Sequence, residues 1–157
     1  MKLTAFTDYS LRVLIYLAAQ PAGRATIAEI ARSFGISEHH LTKVEHFLGR
    51  AGLLANLRGK GGGLALARPA SAIGVGEVVR LTEGSARPAE CFDPAHGADC
   101  AIVRICRLKD VLAEAVQAFD AALDRYTLED LVHNRAALGR VMLGMPPAGR
   151  ATREHAA

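Results

Sequence analysis

Two helix starts separated by one glycine turn constrain this chain more than any other feature. Thr26 followed three residues later by Glu29 is a capping-box pattern ahead of Ile27, Ile30 and Ala31, so a helix begins there and runs to about Phe34. Gly35, Ile36 and Ser37 form a tight turn, and Ser37 caps a following helix from Glu38 to about Ala51. Leu41, Val44 and Leu48 give that helix its apolar face, and Gly52 marks its end. Two short helices joined in this way predict a helix-turn-helix. Upstream, Leu11, Leu14, Ile15 and Ala18 share one face of a further helix, with Thr7 as the expected N-cap and Pro21 and Gly23 ending it.

The segment after Gly52 completes a DNA-binding pattern. Leu53 to Leu57 and Leu64 to Ala67 flank Arg58, Gly59, Lys60, Gly61, Gly62 and Gly63, which predicts a two-stranded hairpin with a flexible basic tip, a wing. The triglycine could instead cradle a phosphate ester, but the Lys-Ser/Thr pair opening a helix that a nucleotide loop needs is replaced here by Leu64 and a strand. Charge follows the same division. Residues 1–69 carry +5 and residues 70–157 carry −2, so the end with the helix-turn-helix attracts a polyanion.

Val75, Val78, Val79 and Thr82 predict one more short helix. Residues 84–104 are irregular and hold Cys91 and Cys100, with Cys106 just beyond. Leu108, Leu112, Ala115, Phe119, Ala122 and Tyr126 then step by four and three residues, a heptad seam that calls for a partner helix and hence a homodimer. Thr127 with Asp130 caps a short helix to about Val132. The expected organisation is a winged helix-turn-helix in 1–83, a cluster-binding loop in 84–106, dimerisation helices in 107–133 and a partly disordered tail in 134–157. The fold class is mainly α, with a two-stranded β wing and a long C-terminal dimerisation helix.

Three cysteines are an odd number for a secreted disulfide framework, and the longest unbroken apolar run, Val13 to Ala19, is too short for a membrane span. A cytoplasmic protein without membrane contact is the expectation. Eight residues separate Cys91 from Cys100 and five separate Cys100 from Cys106. Structural zinc sites usually pair their cysteines two to four residues apart, whereas wider, uneven spacing suits an iron-sulfur cluster. Arg104, Arg107 and Lys109 supply the positive charge that a ligating thiolate needs. A cluster takes a fourth ligand, and spacing does not choose among Asp93, His96, Asp99 or a residue from elsewhere.

The stretches "LTAFTDYSLRVLIYLA", "IAEIARSFGISEHHLTKV", "RAGLL", "RGKGGGLALARPASAIGVGEVVR" and "CRLKDVLAEAVQAFDAALDRYTLEDL" resemble the bacterial iron-sulfur winged-helix repressors, and among them the nitric-oxide-sensing NsrR family. The resemblance covers about residues 1 to 133. It implies a homodimeric repressor of nitric-oxide detoxification genes that binds palindromic double-stranded operator DNA while its cluster is intact. Nitric oxide is the implied signal, and no enzymatic activity is implied. The implied cofactor is one cluster per subunit, 4Fe-4S ahead of 2Fe-2S. Cys91, Cys100 and Cys106 match the cysteine ligands, and Asp8 matches a carboxylate that reaches across the dimer as fourth ligand. Asp8 also has Arg12 at i+4 as an ion-pair partner. The histidine that the cluster-assembly regulators use after the last cysteine is here Lys109, while the long first cysteine gap keeps His96 in contention.

Ser37, Glu38, His39, His40, Thr42 and Lys43 are the expected contacts in the major groove, with Arg58 entering the minor groove and Lys60 meeting phosphate. The alternatives are an iron- or thiol-redox-responsive winged-helix regulator and, in another class, an iron-sulfur electron-transfer subunit.

Overall fold

The first helix, α1 (Ala5–Ala19), buries Val13, Leu14 and Leu17 in the core. The computed structural model describes residues 2–59, 61–84, 88–95, 97 and 99–144. Lys60, His96 and the predicted tail beyond residue 144 lie outside the described residues. The cap of α1 differs from the sequence expectation. Thr4 is the N-cap, its hydroxyl accepting from the Thr7 amide at 3.3 Å, while Thr7 is fully buried in the first turn.

Helix α2 (Ile27–Phe34) begins with the predicted capping box and ends at Gly35, whose φ of 64° is the left-handed conformation that terminates a helix. Helix α3 (Glu38–Arg50) starts at Ser37 as expected. Leu41, Val44 and Leu48 of α3 pack with Leu14 and Leu17 of α1, Ile30 of α2 and Leu53 in one core. Each such side chain contributes about 1.5–3 kcal/mol by leaving water.

Strands β2 (Leu54–Leu57) and β3 (Gly63–Leu66) form the antiparallel wing. A third strand, β1 (Arg24–Ala25), pairs with the outer edge of β3, so the order is β1-β3-β2. Helix α4 (Val75–Glu83) returns against α1. After the irregular segment, α5 runs over Arg107–Leu123 and ends before Tyr126, the last position of the expected seam. The Tyr126 carbonyl instead accepts from the Val75 amide at 2.9 Å, which ties the end of α5 to the start of α4. Thr127 caps α6 (Leu128–Leu131) with the predicted Asp130 box.

Part of the segment expected as a tail is helical. Residues Arg135–Leu143 form α7, which packs on α1 and α2, and the Ser33 hydroxyl donates to the Met142 carbonyl at 2.7 Å. Among the described residues, no helix is long and apolar enough to cross a membrane.

Candidate nucleic-acid interface and metal centre

The start of α3 presents a polar face built by the turn that precedes it. Ser37, Glu38, His39, His40, Thr42 and Lys43 are all exposed, while Leu41 and Val44 between them are buried. The Thr42 hydroxyl donates to the Glu38 carbonyl at 2.9 Å, so it offers outward its methyl and its lone pairs. One partner of this face was not legible in the sequence: the Tyr9 ring of α1 lies 6.2 Å from the His40 ring. A second is Asn56 on β2, which donates to Glu45 of α3 at 2.7 Å and fixes the wing relative to the helix. Arg58 is exposed at the wing turn.

Two of the wing glycines, Gly62 and Gly63, have no space for a side chain. A Cβ on Gly62 would sit 2.4 Å from the Leu57 carbonyl oxygen, and one on Gly63 would sit 2.7 Å from that of Ala25. Both neighbours are backbone, so neither can swing away. The Gly62 amide donates to the Gly59 carbonyl at 2.9 Å.

The three cysteines occupy the segment between α4 and α5 as free thiols. Cys91 and Cys106 are half-buried and Cys100 is exposed. Cys106 is the N-cap residue of α5, and its side chain makes no capping bond. Cys91, Phe92, Asp93, Pro94, Gly97, Val103, Arg104 and Lys109 line an open hollow of about 630 Å³. Among the described residues, no three Cys, His, Asp or Glu side chains gather closely enough to hold a single metal ion. The donors are soft thiols along one loop, a chemistry that fits an iron-sulfur cluster.

Asp8 lies in the first turn of α1 and is half-buried. Both its oxygens are engaged by Arg12, at 3.0 Å from Nε and 2.9 Å from the terminal nitrogen. Arg12 also lies 5.7 Å from the centre of the Phe34 ring, so the pair is braced against α2.

Glu83, the last residue of α4 and the one that leads into the thiol segment, is a junction that sequence reasoning missed. Its carboxylate accepts from the Thr4 amide at 2.7 Å, from the Thr4 hydroxyl at 3.0 Å and from the Thr7 hydroxyl. The Thr7 bond, opposed by partial burial and assisted by Thr4, holds the Glu83 carboxyl below the usual carboxylate range. A carboxyl whose folded-state pKa is depressed contributes stability above its unfolded pKa and loses it as pH falls through the folded value. Glu83→Gln is therefore expected to lower the denaturation midpoint at pH 7 and to flatten its acid-side decline. Parallel pH profiles for the two proteins would contradict this.

Helix α5 leaves an apolar face uncovered. Leu108 and Val111 of α5 are 62 and 57% exposed, Ile105 just before the helix is 83% exposed, and no residue of α5 is buried. A face of this kind next to Ile102 marks an association surface.

The model of the Rrf2 family, described as an iron-dependent transcriptional regulator, matches residues 3–134. The HTH-type transcriptional regulator NsrR of Bacillus subtilis (strain 168) is 48% identical over 143 residues, which is 90% of this chain and 97% of that protein. Among solved structures, the global cysteine regulator CymR of B. subtilis matches with a TM-score of 0.69 at 29% identity, covering 85% of this chain and 98% of that one. IscR of T. potens matches with a TM-score of 0.70 at 27% identity, covering 88% and 90%.

Proposed function

This chain belongs to the Rrf2 family of iron-dependent transcriptional regulators and is of the NsrR type, and on that premise we propose that it is a nitric-oxide-responsive repressor acting as a homodimer on operator DNA. The observation that carries this reading is the placement of three free thiols between the DNA-binding module and an uncovered helix face. Cys91, Cys100 and Cys106 would hold one iron-sulfur cluster per subunit, 4Fe-4S rather than 2Fe-2S, with Asp8 of the partner subunit as fourth ligand. Nitric-oxide detoxification genes are the targets under this reading. When bound, the cluster supplies iron that reacts with nitric oxide.

The chain's own residues supply the rest. The α3 face of Ser37, Glu38, His39, His40, Thr42 and Lys43 enters the major groove, Arg58 the minor groove, and Lys60 meets phosphate. Asp8 has two competing partners: Arg12 of its own helix, and the partner subunit's loop. Exchange between them moves the first turn of α1, where the next residue, Tyr9, lies beside His40 of the reading helix. Weakening DNA binding a hundredfold needs only about 2.7 kcal/mol of difference between the two states. A change of that size is within reach of one exchanged carboxylate.

A native mass spectrum of protein purified without oxygen tests the assembly. Two subunits carrying two 4Fe-4S masses are expected. A dimer with zinc, or with nothing after anaerobic reconstitution, would contradict the cluster. The exposure of Cys100 favours a second reading, an iron- or thiol-redox-responsive regulator. In that case peroxide or iron chelation would alter DNA binding and nitric oxide would not. The electron-transfer alternative is set aside, because the matched family and relatives are transcriptional regulators.

A further inference from the structure

The long gap between Cys91 and Cys100 is not slack. Cys91 sits in a single 3-10 turn, Glu90–Phe92, held by the Phe92 amide donating to the Ala89 carbonyl at 3.0 Å and the Asp93 amide donating to that of Glu90 at 2.8 Å. Asp93 then closes a second turn from both of its ends. Its carboxylate accepts from the Ala95 amide at 2.8 Å, and its carbonyl accepts from the Gly97 amide at 2.7 Å. Gly97 is thereby laid directly on the backbone that follows Cys91. A Cβ there would stand 2.6 Å from the Asp93 carbonyl oxygen and 2.8 Å from that of Cys91. Cys91, Asp93 and Gly97 line the same hollow.

From this packing we infer that Gly97 and Asp93 are positioning residues for Cys91, forming a clip that fixes its backbone before any cluster arrives. The clip ties Gly97 back to Cys91, so the stretch left to be ordered on cluster binding is shorter than the sequence spacing. A preordered ligand loses less conformational freedom on binding and releases its metal more slowly. Asp93 acts here through its acceptor oxygen, not as a ligand. The inference rests on the reading of Cys91 as a cluster ligand, but the position of Cys91 itself is measurable without a cluster.

The test uses the full-length protein with Gly97→Ala, Asp93→Ala and Asp93→Asn. In the cluster-free proteins, alkylation of Cys91 by iodoacetamide, resolved by peptide mass spectrometry, is expected to accelerate in Gly97→Ala and Asp93→Ala, with Cys100 unchanged. In the loaded proteins, cluster loss to an iron(II) chelator, followed by visible absorbance, is expected to quicken about tenfold in the same two variants. Asp93→Asn keeps the acceptor and is expected to behave as the parent in both measurements. Parental alkylation and cluster-loss rates in Gly97→Ala would overturn the inference, as would an Asp93→Asn protein as labile as Asp93→Ala. If the parent protein takes up no cluster, the proposed function fails, while the alkylation rates still decide whether the clip positions Cys91.

Discussion

Replacing Cys106 with alanine is expected to give a folded dimer that carries no cluster and binds operator DNA about a hundredfold more weakly, a loss near 2.7 kcal/mol. The substitution is well suited to this purpose because the side chain has no structural task. Cys106 is the N-cap of α5, yet it makes no capping hydrogen bond and is only half-buried. Alanine there removes neither a helix cap nor a core contact, so thermal stability is expected to change by less than about 1 kcal/mol. Visible absorbance after anaerobic reconstitution and an operator titration at one fixed salt concentration check both halves. A variant that keeps the absorbance would exclude Cys106 as a ligand. A variant that loses the absorbance but binds DNA normally would separate the cluster from control.

The second large effect is expected in the wing. Gly63→Ala places a methyl 2.7 Å from the Ala25 carbonyl oxygen at a φ of 153°, so β3 must either part from β1 or rotate its backbone. Overpacking of this kind costs about 1–3 kcal/mol even where side chains can yield, and here the obstacle is backbone. The melting temperature and operator affinity are expected to fall together, with Arg58 no longer presented at its groove. Gly61→Ala is the control, because its nearest neighbour is the flexible end of Arg24 at 3.4 Å. It retains only the cost of a positive φ, about 1–2 kcal/mol. Equal melting temperatures and affinities for the two variants would contradict the steric account.

Local chemistry made the helix-turn-helix legible in advance. The Thr26–Glu29 and Thr127–Asp130 boxes and the Ser37 cap each act within four residues, so a sequence window contains the whole interaction. What escaped that reading depends on distant partners. Thr4 and Thr7 are equally good caps by residue type, and Thr7 is drawn inward by Glu83, 76 residues away. Strand β1 is two residues long and has no periodicity to read; it exists because β3 offers an edge. Helix α7 lacks a side-chain cap at Asn134 and is held by contacts with α1 and α2 that no local pattern announces. For the thiol loop, spacing named the donors and the resemblance named their use. The contact of Gly97 with the Cys91 backbone is a matter of packing, and appeared only with the fold.

Under the proposed function, the cluster-loaded dimer binds the operator tightly and the dimer exposed to nitric oxide binds it about a hundredfold more weakly. This difference is tested most directly by operator affinity of the cluster-loaded protein, measured without oxygen at fixed salt before and after nitric oxide stoichiometric with the cluster. Tight binding before and about a hundredfold loss after are expected, equivalent to near 2.7 kcal/mol. Unchanged affinity after the cluster absorbance has been lost would contradict it.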